Sequence, residues 1–479
     1  DFQTSAWIPP QVVKGELAES FSVEENPLRI EINLRKGIFW QEKKGVMKSR
    51  EFVADDVIDF FNRAKSSKKA IPTQFTFIDR WEAQGKYKVV FFLNEYNANW
   101  QFRLGWGFYN AINPPEVAKA GSQDWKNVTG TGPYMLEDYR RANYVEFVKN
   151  PHYWDSTLID GKSYQIPFTD GIRYLLNKDE QSRLAALRTG KVDLAAAISW
   201  QFVDEVKKQA PDLKWAKWLW PEPLLFSMRM DTKPFDDIRV RRAMALAINQ
   251  PEILKTYFQG DAVLFSYPFP LTWKDYYDPL EKQSPAIQEL FSYNPEKARQ
   301  LLAEAGYPNG FTVKAQVLST PGPGLEQAQM VVAYLAKIGV TLELEPMAYG
   351  NYLSVMLQKK HGPAYFFGNG HTNPIIMLRK NFTPYPWNAH MFSDPAFDKK
   401  MAEMMKTLDE TKRIRMIKEL GAYANEQVPY VQLPNPYAFS AWWPWVKNYH
   451  GEQYNGAYRY GPIHARIWID QKLKDQMGK

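Results

Sequence analysis

Apolar and polar residues alternate along residues 28–34, with Leu28, Ile30, Ile32 and Leu34 on one side and Arg29, Glu31 and Asn33 on the other. That period predicts a half-buried strand. Lys36-Gly37 closes it, and Ile38-Phe39-Trp40 opens the next apolar patch. From Ala54 the period lengthens: Val57, Phe60 and Phe61 share one helical face, with Asp55 and Asp56 at the N-terminal end where the helix dipole favours them. The apolar run 89–93 predicts a strand buried on both faces. Residues 100–115 interleave Trp100, Phe102, Trp106, Phe108 and Tyr109 with Gly105 and Gly107, which reads as a loop carrying aromatic rings. Gly130-Thr131-Gly132-Pro133 makes a turn into two short strands, marked by Tyr134 and Leu136 and by Tyr144, Val145 and Phe147, with a polar corner at 138–141.

Beyond residue 166 helices and strands alternate more regularly. Residues 171–176 predict a strand, 179–187 a helix ending at Gly190, and 192–198 and 224–228 two buried strands. The stretch 236–249 predicts a helix with Met244, Ala247 and Ile248 inward. Asn294 caps a helix with Pro295 at its first position; Ala298, Leu301, Leu302 and Ala305 form its apolar face, and Gly306 stops it. A strand (Phe311, Val313, Ala315, Val317), a turn at 321–324, a helix over 325–338 and a strand (Val340, Leu342, Leu344) then follow. This is a βαβ crossover, expected to be right-handed, inside an α/β domain running from 234 to about 450.

A chain of 479 residues is too long for one hydrophobic core, so two or three domains are expected. No apolar run is long enough to span a bilayer. Aromatic content is high: 17 Trp, 27 Tyr and 28 Phe imply a ring-rich core, a ring-lined binding surface, or both. The absence of cysteine excludes disulfides, thiolate metal sites and cysteine nucleophiles. A net charge of +7 is spread over short, scattered basic clusters, which argues against nucleic-acid binding. His152, His361, His371, His390, His450 and His464 stand isolated, without metal-ligand spacing. No Gly-x-Ser-x-Gly elbow occurs, and Gly130-Thr131-Gly132 is too short to cradle a phosphate. The sequence therefore points to a protein that is not an enzyme and uses no cofactor and no metal.

Several motifs in order carry a resemblance. Gly15-Glu16-Leu17-Ala18-Glu19-Ser20-Phe21, Leu34-Arg35-Lys36-Gly37 and Ala54-Asp55-Asp56-Val57 are followed by Gly130-Thr131-Gly132-Pro133-Tyr134 and Lys149-Asn150-Pro151-His152-Tyr153-Trp154. Leu187-Arg188-Thr189-Gly190-Lys191-Val192-Asp193, Arg239-Val240-Arg241-Arg242-Ala243 and the helix 294–307 continue the series. Together they resemble the extracytoplasmic solute-binding proteins of family 5, the dipeptide- and oligopeptide-binding family that serves ABC importers. The resemblance implies an α/β, two-lobe periplasmic-binding-protein fold (type II, cluster C) with an extra subdomain inserted in lobe 1. It assigns 1–165 mostly to that subdomain, 166–232 to the lobe 1 core and hinge, 233–452 to lobe 2, and 453–479 to the return into lobe 1. It also implies a monomer in the periplasm or outside the cytoplasm, closing on a solute and presenting itself to an ABC permease. The first lobe starts short of the family pattern, so a lipid anchor on a preceding segment is a further expectation.

Two departures touch structure and ligand. Val53 stands where a threonine usually caps the helix that begins at Ala54, a loss of about 1 kcal/mol. Peptide binders that this chain resembles carry a Gly-Asp in the loop before an Asp-Pro, and that aspartate meets the peptide's ammonium. The similar stretch here, 366–374, has no carboxylate and offers Asn369, His371 and Asn373 instead. Neutral donors and acceptors suit hydroxyls, so the expected ligand is a neutral polyhydroxylated solute such as an oligosaccharide. Trp106, Trp200, Tyr365, Phe366 and Trp387 are the candidate stacking rings, with Asn369, His371 and Asn373 as polar contacts. The alternative is a short peptide or an opine-like amino-acid conjugate, its charge met by a carboxylate outside this loop.

Overall fold

The alternation at 28–34 builds the first sheet. In the computed structural model, which describes residues 13–67, 74–105, 110–320, 322–368, 370, 373–452 and 461–478, the strands Ala18–Glu25, Leu28–Leu34, Lys88–Leu93 and Ile78–Ala83 pair antiparallel in that order. Ile30 and Leu34 point inward, and Val89, Val90 and Phe91 are buried on both faces, as a continuous apolar run requires. The helix Ala54–Ser66 packs on this sheet through Val57, Phe60 and Phe61. Phe61 meets Phe91 edge-to-face with ring centroids 5.1 Å apart, and Trp40, Phe52 and Phe77 are fully buried nearby. A large part of the aromatic content is therefore core.

The uncapped start of this helix is compensated from inside. Val53 contributes no side-chain cap, but Asp56, three residues on, accepts from the Val53 backbone N–H at 3.0 Å. The same buried carboxylate accepts from Trp40 Nε1 at 3.1 Å and pairs with Arg50 at 2.7 Å. One side chain thus ties the helix start to the aromatic core.

Residues 100–105 differ from the expected loop. A helix forms at Trp100–Gly105, because Trp100 and Leu104 bury one face of it and Trp100 packs edge-on against Phe21 at 5.6 Å. The hairpin after the Gly-Thr-Gly-Pro turn also runs longer than its polar sequence suggests. Strand Tyr134–Arg140 pairs with Tyr144–Lys149, which pairs with Gly171–Leu175. Asp138 holds both Arg140 and Tyr144, at 2.9 and 2.8 Å, so the polar corner is pulled into the strand.

The chain divides into two units, Asp1–Lys217 with Phe439–Lys479, and Trp218–Ala438. It leaves the first unit within the strand Lys214–Leu219 and re-enters it within Asn435–Trp442. These crossing points lie inside regular strands, so no shift of composition marks them. In the returning segment of the first unit, Trp443 and Trp445 stack at 4.7 Å. Trp443 Nε1 donates to the Leu187 carbonyl and Trp445 Nε1 to Asp193, each at 2.8 Å.

The second unit is built on a five-stranded sheet in the order Val340–Met347, Phe311–Leu318, Ala364–Gly368, Leu224–Met228, Tyr430–Gln432. The first three strands are parallel, and Leu224–Met228 runs antiparallel to both of its neighbours. The helix Pro323–Ala336 makes the expected crossover between 311–318 and 340–347. Helix Ile238–Ala247 is shorter than read from the sequence, because Asp237 caps it by accepting from the Arg239 N–H. Val53→Thr is expected to supply the missing cap and stabilise the protein by about 0.5–1 kcal/mol in urea denaturation; an unchanged midpoint would mean that Asp56 already satisfies the helix start.

Candidate ligand-binding site

The sheet of the second unit has a topological address for a ligand. From 311–318 the chain crosses to 340–347 on one side, and the next parallel strand, 364–368, lies on the other. Strand order reverses there, and crevices form outside the carboxyl ends of parallel strands at such points. The side chains at those ends gather: Leu318, Met347 and Phe367 pack with Tyr352, Met356, Tyr365, Ala389 and Trp387. Phe367 stacks on Tyr352 at 5.4 Å with an interplanar angle of 12°.

A carboxylate enters from a segment distant in sequence. Leu224 pairs with Gly368, so the residues just before 224 run alongside those just after 368. A Cβ on Gly368 would stand 3.4 Å from Glu222 Oε2, and one on Gly370 would stand 2.6 Å from Glu222 Cγ and 2.0 Å from the Pro221 carbonyl. Only glycine permits this approach at 370. Prolines on either side of Glu222 limit its backbone, and the side chain is half-buried.

The rest of the region is fastened by basic groups. Arg229 pairs with Asp231 at 2.7 Å and donates to the carbonyls of Lys359 and His361 at 2.9 and 3.0 Å. Lys359 Nζ donates to the carbonyls of Pro386 and Asn388 at 2.7 and 2.6 Å, and His361 Nε2 lies 2.8 Å from the Ala389 carbonyl. Together they hold the segment that carries Trp387. Burial, reinforced by Arg229, pushes the Lys359 ammonium down to about 8. Burial also pushes His361 down to about 4 and His390 to about 3, so both rings are neutral at pH 7.

The residues singled out from the sequence separate. Tyr365 and Trp387 do meet in the ring cluster, but Tyr365 is buried, stacked on His390 and 2.9 Å from its Nδ1. Phe366 points to the other face of its strand, where it stacks on Phe226 at 4.9 Å and is 1% exposed. It is core, since neighbouring strand residues face opposite ways. Trp200, buried at the start of helix Trp200–Gln209, belongs to the first unit. Asn373 caps the helix Pro374–Arg379, accepting from the N–H groups of Ile375 and Ile376 at 2.9 and 3.3 Å. Trp106, Asn369 and His371 lie outside the described residues. Sequence reasoning missed Glu222, Tyr352 and Phe367. The available signal was Pro221-Glu222-Pro223, an acidic residue fixed between prolines at the mouth of a predicted strand. Among the described residues, no three His, Cys, Asp or Glu side chains gather to hold a metal ion, and no helix is long and apolar enough to cross a membrane.

The two-lobe α/β fold is of the periplasmic-binding kind, and proteins of that kind bind solutes without catalysis. The chain belongs to the bacterial extracellular solute-binding proteins, family 5, whose middle-region model matches residues 12–380. Proteins of this family work outside the cytoplasm with an ABC permease and bind a diffusible solute. The chain is 27% identical over 470 residues to heme-binding protein A of Haemophilus influenzae, covering 91% of this chain and 81% of that protein. It is 27% identical over 442 residues to di/tripeptide-binding protein 1 of Pseudomonas aeruginosa, covering 86% and 79%. In fold it matches the periplasmic binding protein DppA of Helicobacter pylori in complex with the peptide STSA, with TM-score 0.80 and 24% identity over 95% of this chain and 89% of that one.

These findings overturn the expected oligosaccharide ligand. The inference rested on a loop without a carboxylate, and the fold brings Glu222 to that loop from a different segment.

Gly370→Ala is expected to lower the unfolding free energy by about 1–3 kcal/mol, because its Cβ has no room against Pro221 and Glu222. An unchanged urea midpoint would refute that packing. Because the folded values of His361 and His390 lie below that of an unfolded histidine, the unfolded chain takes up protons first as pH falls. The stability they contribute is therefore complete above about pH 6.5 and is lost as pH falls toward 4. Ring-proton NMR should show neither resonance titrating between pH 8 and 5.5; a midpoint near 6.5 for either would contradict its burial.

Proposed function

We propose that the protein captures short peptides or opine-like amino-acid conjugates for import, with the ligand's ammonium end facing Glu222. The observation that carries this reading is the Glu222 carboxylate against Gly368 and Gly370, at the carboxyl ends of the parallel strands. An ammonium brought into a half-enclosed site needs such a counter-charge. The names of the relatives support the ligand class: di/tripeptides for the Pseudomonas aeruginosa protein and a bound peptide for the Helicobacter pylori one. Phe367, Tyr352 and Trp387 supply apolar surface for side chains or a sugar-derived portion. The finer architecture we propose is the type II, cluster C arrangement, with much of 1–165 as a subdomain of the first lobe.

Titration calorimetry of ligand-stripped protein against alanyl-phenylalanine, trialanine and an opine such as mannopinic acid tests the reading. At least one is expected to bind, N-acetylation of the peptide is expected to weaken it, and Glu222→Gln is expected to cost about thirtyfold or more. N-acetylated peptides bound as tightly as free ones would sink the assignment of Glu222.

A further inference from the structure

Away from the ring cluster, the second unit encloses a small polar cavity that no ligand contact explains. Its volume is about 20 Å³, and its walls include Ala245, Gln250, Ile287, Asn425, Tyr430 and Gln432, all of them buried. Gln250 opens the helix Gln250–Thr256 directly after the Asn249 cap, which holds its backbone in place. Its side chain is 1% exposed, and among the described residues its Oε1 meets no donor. A buried amide oxygen in that state destabilises the fold, because it gave up water and received nothing in return.

The two amides across the cavity are short of acceptors instead. Gln432 Oε1 accepts from the backbone N–H groups of Ser266 and Tyr267, and its Nε2 donates to the Tyr267 carbonyl at 3.2 Å. Asn425 Oδ1 accepts from the Tyr430 hydroxyl at 2.7 Å, and its Nδ2 donates to the same Tyr267 carbonyl at 3.4 Å. An amide nitrogen carries two hydrogens, so among the described residues each of these two has one left over. An acceptor without a donor thus shares a cavity with two donors that lack a second acceptor. One water molecule answers both sets, donating to Gln250 Oε1 and accepting from the amide nitrogens. Two to four polar partners are what an internal water requires, and the volume has room for one.

We propose that this cavity is a hydration site, with one internal water held by Gln250, Asn425 and Gln432. The water ties the first turn of the helix 250–256 to the end of the helix Glu410–Glu426 and to the edge strand Tyr430–Gln432. That edge strand pairs with Leu224–Met228, with Gln432 opposite Leu225 and Val431 opposite Phe226. The water therefore secures the outer neighbour of the strand whose register sets the ligand site.

A high-resolution crystal structure of the wild type and the thermal unfolding of Gln250→Met test the site. The structure is expected to show one ordered water within hydrogen-bond distance of Gln250 Oε1 and of at least one of the two amide nitrogens. Methionine is close to glutamine in volume but lacks the carbonyl, so the sign of its effect separates a hydrated cavity from a dry one. In a hydrated cavity the substitution removes one partner of the water and strands the amide hydrogens. The unfolding temperature should then fall by about 2–4 °C, the shift of one lost hydrogen bond in a unit of this size. In a dry cavity the substitution only removes an unpaired oxygen, and the unfolding temperature would rise. Oxygen-17 relaxation dispersion adds a count of long-lived internal waters, expected to be one lower in Gln250→Met than in wild type. Absence of the ordered water in the wild type, an unchanged count, or an unchanged or raised unfolding temperature overturns the proposal.

Discussion

The register between strands 224–228 and 364–368 is the constraint on which the site depends. With Leu224 opposite Gly368 and Ser227 opposite Tyr365, Phe367 and Tyr365 face the ring cluster while Phe366 faces Phe226. A slip of one residue would exchange those faces. It would also move Glu222 away from the glycines that make room for it. The buried pair Phe226–Phe366 opposes such a slip, because it would have to leave the core. Packing on one face of the sheet therefore fixes the electrostatics at its end.

Charge in this region divides by task. Arg229, Lys359 and His361 bond main-chain carbonyls, and so serve as fasteners for the 386–390 segment. The two buried histidines stay neutral because burial outweighs what their neighbours offer the charged ring, the Ala389 carbonyl beside His361 included.

The fold was legible where order is local. Alternation at 28–34, the Asn294 cap and the 311–347 crossover all depend on residues within a few turns of one another, and each appears where the pattern places it. At the start of the ring-rich stretch, 100–105 was misread because glycine spacing was weighed without the burial of Trp100 and Leu104. The site was less legible for a related reason. Asn373 offered hydrogen-bonding groups, but a helix N-terminus immediately after it claimed them. A carboxylate from outside the loop was expected only under the alternative ligand, and Glu222 reaches the loop through strand pairing that no local pattern encodes.

The stacked pair Trp443 and Trp445 sets an order of assembly. Their indole N–H groups hold the Leu187 carbonyl and Asp193, yet they lie beyond the whole of the second unit in the chain. The second unit is one uninterrupted segment and can complete its core once Ala438 has left the ribosome. The first unit begins earlier and must finish later, with its sheet waiting for the final strand. During synthesis or translocation its half-built edge is therefore exposed for as long as the second unit takes to emerge, and that interval is where a chaperone would have most to protect.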